Sequence, residues 1–476
     1  MILVSAFRSY SCLLLARAVV CSDVSNDVLD SGVCTDPNCA DLESPEAVAL
    51  LQRRAGIRPA RLASAHVQKS GTSKHDDMSD AHTRVTGALD ASLSSRSVSL
   101  TLLDSLGYKD ARCLDGSSGG FYYRPASAVA NSTRWILHLQ GGAECVTEEE
   151  CIARTFTHLG SSKNWSSNAN LGHLLLNESN SNFGSWNAVV FLYCSGDVWT
   201  GTQTEIGTTL PGLQFSGHKI IDAVLDHLSS VFALTSADEV ILSGDSGGGV
   251  GVWLSLDYIR DKLATVPVVV GCSFAGYFFP QSQGNLLYTG MGAVTPYSSL
   301  TPADVKRYTH MWSSFLPTRC IDTLPQSPWM CLFGNVVYSS LQTPVFLSQS
   351  QFDAVTMNLH DGVPTCIWDC TYNPTQCPQD LVDFSLVWQK ALFQHAVGIM
   401  NSTRDGVFSP ACLMHDAFLA TEPLIDGSSA VEAFTSWYFG GTLPTKLVDS
   451  CAGMNCNPTC PQGPLIPNPV LGSDPA

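Results

Sequence analysis

Apolar positions along the chain repeat with two periods. Trp135-Ile-Leu-His-Leu139 and Ala188-Val-Val-Phe-Leu-Tyr193 are short apolar runs bounded by Gly, Ser and Asn, the form of strands buried on both faces. Val240-Ile-Leu242, Val266-Pro-Val-Val-Val270 and Pro344-Val-Phe-Leu347 read the same way. Between Gly217 and Leu234 the period changes: Ile220, Ile221, Val224, Leu225, Leu228 and Val231 recur at i, i+3, i+4 spacing, which predicts an amphipathic helix. A second helical run, Val250 to Arg260, follows the Val240 strand across a glycine-rich turn, and a third covers Trp388 to Met400. Strands alternating with helices predict an α/β fold, a mostly parallel sheet with helices on both faces.

The periodicity fades toward both ends. At the N-terminus Arg8 precedes the apolar stretch from Cys12 to Cys21, interrupted by Arg17, so residues 1–22 are expected to be a signal peptide. Residues 23–95, rich in Ser, Ala, Asp and Arg, are expected to be a flexible leader or pro-region with one short helical segment at Pro45 to Arg54. The folded domain is then expected over 96–462, followed by a Pro-rich disordered tail over 463–476. No later stretch reaches the roughly 18 uninterrupted apolar residues of a membrane span, so a soluble product, expected to be a monomer, is predicted.

Composition narrows the classes. Of 476 residues 45% are hydrophobic and 14% charged, a balance that requires a buried core and excludes disorder throughout. A formal net charge of −17, with its few basic runs outside the motif-rich part of the chain, argues against a nucleic-acid partner. Eighteen cysteines are many for a reducing compartment. The close pairs Cys34/Cys39, Cys145/Cys151, Cys320/Cys331 and Cys456/Cys460 suggest small disulfide-closed loops. Cys366, Cys370 and Cys377 come nearest to a metal pattern, but no histidine stands at ligand spacing. Sequons at Asn131, Asn164, Asn177 and Asn401 agree with an expected secreted, glycosylated product.

Chemistry enters at Gly244-Asp-Ser-Gly-Gly248, a G-x-S-x-G pattern standing between a predicted strand and a predicted helix, the setting of a nucleophile elbow. The alternatives are a glycine-rich packing turn, or a phosphate loop, which would need a Lys followed by Ser or Thr that this segment lacks. A serine hydroxyl requires a histidine base and a carboxylate that orients it, and in the α/β-hydrolase fold that such an elbow points to they follow the serine in the order acid, then histidine. The downstream histidines are His310, His360, His395 and His415. His310 and His395 lie in amphipathic stretches that favour structural roles, whereas His415 follows a loop opened by Pro410 and held by Cys412; His360 remains a competitor. Asp353, soon after the Pro344 strand, is a candidate acid because sites in open α/β sheets gather at the C-terminal strand ends. The oxyanion hole is expected to combine the Gly247 N–H with the turn Gly141-Gly142-Ala143 after the Trp135 strand, stiffened by Cys145 and Cys151.

Several blocks in one order carry a resemblance: Leu139-Gln-Gly-Gly-Ala-Glu-Cys145, Tyr193-Cys-Ser-Gly-Asp-Val-Trp-Thr-Gly201, Ser243 to Gly251, Phe346 to Asp353, Phe408 to His415, and Leu447 to Cys460. From Cys113 to Cys460 the chain resembles the pectin acetylesterase/Notum family of extracellular carboxylesterases, and within it the Notum branch. The resemblance implies Ser246 as nucleophile, Asp353 as acid, His415 as base, and Gly142, Ala143 and Gly247 as oxyanion donors. It implies no metal or organic cofactor. The shared blocks also suggest disulfides Cys113–Cys194 and Cys412–Cys451. Two departures stand out: Ala143-Glu144 where the family has an aromatic residue, and Gly247 where it commonly has Ala. The expected function is a secreted serine carboxylesterase forming an acyl-enzyme, with a substrate carrying either O-acetyl on a polysaccharide or a longer acyl chain on a protein or lipid. Phe278 and Phe279 are candidates to line its pocket. The non-enzymatic alternative is a secreted binding protein that keeps an inactive hydrolase fold.

Overall fold

Strands β1 (Val98–Leu102), β2 (Gly120–Arg124), β3 (Arg134–Leu139), β4 (Asn168–Ala169) and β5 (Asn187–Phe191) belong to the first half of the domain. The second half supplies β6 (Glu239–Asp245), β7 (Val268–Phe274), β8 (Val345–Ser348), β9 (Gly406–Ser409) and β10 (Lys446–Val448). In this computed structural model, which describes residues 97–462 except 173–174, 204–211, 281–286, 373–376 and 419–420, they form one sheet in the order β10-β9-β8-β7-β6-β3-β5-β2-β1-β4. The strands from β10 to β5 are parallel, and β2, β1 and β4 continue the sheet antiparallel. The expected signal peptide, leader, Pro45 to Arg54 helix, Cys34/Cys39 pair and Pro-rich tail lie outside the described residues.

Because side chains alternate across a strand, each strand feeds two cores. Leu137, Leu139, Val189, Phe191, Val240 and Leu242 join the core under the helices Gly217–Phe232, Gly247–Lys262 and Gln379–Asn401. Ile136, Val190, Ile241, Phe274, Phe346 and Phe408 face the opposite side, under the helix Ala430–Phe439. Each such side chain stabilises the fold by roughly 1.5–3 kcal/mol on burial. Helices thus cover both faces, but unevenly.

The predicted elements are present with shifted bounds. The Val240 strand runs on to Asp245, through residues read as a turn, because Ser243, Gly244 and Asp245 continue the parallel ladder to Cys272, Ser273 and Phe274. The Val266 strand starts later and ends at Phe274, since Pro267 has no N–H to give a ladder. In the Gly217–Phe232 helix the expected apolar stripe is buried except Val231, which is 59% exposed in the last turn.

The disulfides Cys113–Cys194, Cys145–Cys151 and Cys320–Cys331 match expectation. Two pairings are corrected: Cys412 bonds Cys460, and Cys451 bonds Cys456. Asp449 accepts from Ala411 N–H at 2.8 Å and brings the C-terminal segment to Cys412, but the chain then closes a tight loop on Cys456 before Cys460 arrives. Cys370 bonds Cys377 and Cys366 is also disulfide-bonded, so none of these three is left as a metal thiolate.

Loop entropy ranks the crosslinks. Cys113–Cys194 spans 81 residues and Cys145–Cys151 spans 6, which corresponds to about 4.5 and about 2 kcal/mol of lost denatured-state entropy. Replacing both members of each pair by Ser should lower the guanidinium unfolding midpoint more for Cys113/Cys194, as intrinsic fluorescence would report.

Candidate active site

The C-terminal ends of β3, β5, β6, β7, β8 and β9 lie along one edge of the sheet, and the loops leaving them converge there. Ser246 sits directly between β6 and the helix Gly247–Lys262, with φ 52° and ψ −121°. A non-glycine residue held there is strained by roughly 1–3 kcal/mol and persists only if its surroundings fix it. Ser246 N–H donates to Phe274 O on β7 at 2.8 Å. A Cβ on Gly248 would lie 2.0 Å from Leu139 O, and one on Gly249 2.7 Å from Phe274 O, so the glycines let the helix start against the ends of β3 and β7.

The turn after β3 is tied to the same elbow. Gly141 N–H donates to Asp245 Oδ1 at 3.0 Å, and a Cβ on Gly141 would come within 2.4 Å of Asp245 Oδ2. His138 holds Asp245 Oδ1 through Nε2 at 3.0 Å and Ser243 Oγ through Nδ1 at 2.9 Å. Gly142 and Ala143 then take φ values of 145° and 52°. A Cβ on Gly247 would stand 3.6 Å from Ala143 N, so the two turns face each other. Among the described residues the N–H groups of Gly142, Ala143 and Gly247 donate to no protein acceptor.

Arg154 orients that turn. Its Nη2 donates to Gly142 O and, at 3.3 Å, to Ala143 O, while its Nε donates to Leu159 O at 3.0 Å. In a trans peptide C=O and N–H point opposite ways, so anchoring Gly142 O turns the Ala143 N–H away from Arg154.

Asp353 and His415 are brought together. His415 Nδ1 is 2.9 Å from both Asp353 oxygens, and both residues are buried. Gln349 Nε2 donates to Asp353 Oδ2 at 2.8 Å and Thr356 N–H to Oδ1 at 3.0 Å, so the carboxylate is fully held. A carboxylate only accepts, so Nδ1 carries the proton and Nε2 is the basic nitrogen of the neutral ring. Nε2 has no hydrogen-bond partner among the described residues, and Ser246 is not hydrogen-bonded to it. Burial opposes the imidazolium, but the charge and hydrogen bond of Asp353, with Asp416 and Asp245 nearby, outweigh it and raise the His415 pKa above 6.5.

Residues 91–461 match the pectinacetylesterase family. The chain belongs to that family. The palmitoleoyl-protein carboxylesterase notum1 of Xenopus laevis is 31% identical over 379 residues, 74% of this chain and 72% of that protein. Pectin acetylesterase 11 of Arabidopsis thaliana is 27% identical over 384 residues, 78% of this chain and 94% of that one. The solved structure of the Wnt deacylase Notum from Drosophila matches with a TM-score of 0.64 at 29% identity, covering 77% of this chain and 100% of that chain. These relatives place this member of the pectinacetylesterase family among the carboxylic ester hydrolases.

The other histidines are elsewhere in this pectinacetylesterase-family domain. His310 is exposed on its helix. His395 stacks on Phe279 at 5.0 Å and pairs with Asn335, which also places Phe279 in the helix packing and not in the pocket. His360 Nδ1 is 2.7 Å from Ser298 O, beside Glu144 and Phe278. Asp245, Arg154 and Asp197 were not singled out by sequence. Asp197 accepts from Ser195 Oγ and the N–H groups of Trp199, Gly201 and Gly217, and so holds Val198 and Trp199 at φ 46° and 69° against the elbow. Three of these partners lie within four residues of Asp197, and Gly217 lies 20 residues away.

The adjacent glycines should behave oppositely. A Cβ at Gly247 meets only ordinary contacts of 3.5 and 3.6 Å, so Gly247→Ala should keep the fold and gain about 0.4–1 kcal/mol. Gly248→Ala collides with Leu139 O and should cost about 3 kcal/mol or more. Thermal melts of the two variants check this.

Proposed function

We propose that this chain hydrolyses O-acyl esters through an acyl-enzyme on Ser246, with His415 as general base, Asp353 as the group that orients it, and Gly142, Ala143 and Gly247 N–H as the oxyanion hole. The reading is carried by one observation: His415 Nδ1 is clamped by both Asp353 oxygens while Nε2 has no partner among the described residues. Ser246 attacks the ester carbonyl as Nε2 takes its proton; the proton passes to the leaving alcohol; water then repeats the sequence in reverse. Catalytic hydrogen bonds often tighten only around substrate, which accounts for the open Ser246–His415 contact. The Gly247 N–H opens a helix and so adds the positive end of its dipole to the oxyanion site.

The acyl group we assign to this site is short. Val198, Val250, Phe278, Trp312 and Glu144 line a small, largely apolar cavity beside the oxyanion turn. A cavity of this size suits a short acyl group and not a fatty chain. The disulfides and the relatives support a secreted enzyme, for which oxidising surroundings are needed.

Three measurements test this. A fluorophosphonate should label Ser246 in the disulfide-intact protein, and Ser246→Ala should lose both labelling and hydrolysis of short aryl esters. Because the base must be neutral and its pKa is raised, the acid limb of kcat/KM should lie above pH 6.5. In Asp353→Asn the main raising influence is gone and burial pulls the other way, so the limb of the residual activity should move to lower pH; an unmoved limb argues against His415 as the base. Arg154→Ala should lower kcat by about 10²-fold with KM nearly unchanged, the loss expected when an oxyanion donor is misaligned.

A further inference from the structure

Glu144 is a carboxylate in an apolar wall. It directly follows Ala143 of the oxyanion turn, is 3% exposed, and shares its cavity with Val198, Val250, Phe278, Leu300 and Trp312. Val198 lies 3.6 Å from where a Cβ on Gly247 would stand, and Val250 N–H donates to Ser246 O, so this cavity abuts the nucleophile.

Among the described residues, only one of the two Glu144 oxygens is engaged. Ser298 Oγ donates to Oε1, and His360 Nδ1 lies 3.7 Å from the same oxygen. His360 is itself fixed, since its Nδ1 must donate to the Ser298 carbonyl 2.7 Å away and its ring packs against Phe278 at 4.8 Å. This holds the carboxylate in one orientation. Oε2 is buried with no hydrogen-bond partner among the described residues. An apolar acyl group filling the cavity would leave that oxygen desolvated and unmatched, whereas a donor would complete it.

We propose that this cavity takes the acyl group of the substrate, and that Glu144 selects short acyl groups carrying a hydrogen-bond donor, an O–H or N–H, on the carbon next to the ester carbonyl. The proposal rests on the acyl-enzyme reading above. Hydroxyacetyl and aminoacetyl esters share the required chemistry; propanoyl esters have the same size without the donor. A site built to receive a substrate donor discriminates against the isostere that lacks it far more strongly than an apolar pocket distinguishes one methyl group.

The test uses ethyl acetate, propanoate, hydroxyacetate and glycinate, followed by proton release in a pH-stat, with each rate divided by the rate of that ester with hydroxide. The wild-type protein should show kcat/KM for hydroxyacetate or glycinate at least about 10-fold above propanoate, and the two arms tell which donor is preferred. Glu144→Leu should abolish this ratio and raise propanoate relative to acetate, while Glu144→Gln, which keeps an acceptor oxygen, should retain part of it. Equal wild-type rates for propanoate and the donor-bearing esters overturn the proposal without any variant being needed. So does a ratio unchanged in Glu144→Leu that is still labelled by fluorophosphonate. If the wild-type protein is neither labelled at Ser246 nor active on any of the esters, the acyl-enzyme reading itself falls, and this inference with it.

Discussion

The strained Ser246 backbone can exist only because three chain turns approach it more closely than side chains would allow. The ends of β3, β6 and β7 meet where Gly248 lies against Leu139 O, Gly249 against Phe274 O, and Gly141 against the Asp245 carboxylate. A Cβ at any of these positions would push two strand ends apart. The strain at φ 52° is therefore offset by the ladder from β3 through β6 to β7, which holds both sides of the elbow in register. Asp245 completes the arrangement by pairing with Gly141 N–H and His138, so the segment that supplies the serine also sets the turn with the free amides.

His415 is secured from a different part of the chain by different means. Its loop leaves β9 and is held by short polar contacts and one crosslink: Met414 N–H to Phe352 O at 3.2 Å, Leu413 N–H to Asn455 Oδ1 at 3.0 Å, and Cys412 to Cys460. Asp449 accepts from both Ala411 N–H and Asn457 Nδ2, which binds the C-terminal segment onto that loop. The Cys- and Pro-rich end of the domain thus works as a brace for His415. Without such anchors backbone entropy would keep the loop from holding an imidazole aligned on a buried carboxylate.

What was legible in the sequence follows from how local each signal is. β3, β5, β6 and the helix after Ser246 were readable because a strand buried on both faces is a continuous apolar run, and the Gly217–Phe232 helix because its stripe has a clean period. β1, β2 and β4 were not, since these antiparallel strands are short and mix polar with apolar residues, as in Gly120–Arg124. The Ser246, Asp353 and His415 blocks were recognisable as family patterns, although bottom-up reasoning alone left His360 in contention against His415. Asp245 and Arg154 escaped because each acts on backbone groups far away in sequence, whereas Asp197 holds mainly its own loop at Ser195, Trp199 and Gly201 and reaches out only to Gly217. The Cys412 pairing failed for a similar reason: near Asp449 three cysteines compete, and only the path of the chain decides among them.

On the proposed acyl-enzyme reading, reaction class and substrate choice are set by separate physics in this domain. The first needs a hydroxyl on a strained turn, a clamped imidazole and free amides, all of which rest on the sheet's C-terminal edge and on glycine contacts that tolerate little change. The second depends on the wall of one small cavity, where a side chain alters the chemistry without touching the strands. Glu144 is such a change: it follows the oxyanion turn directly, yet its carboxylate is anchored by Ser298, a loop residue outside the sheet. Burying a carboxylate there costs stability that packing does not return, since an apolar side chain of similar size would fill the same wall more favourably. On that reading a costly group kept beside Ser246, held in one orientation by Ser298 and next to His360, is better explained by what it meets during the reaction than by what it contributes to the fold.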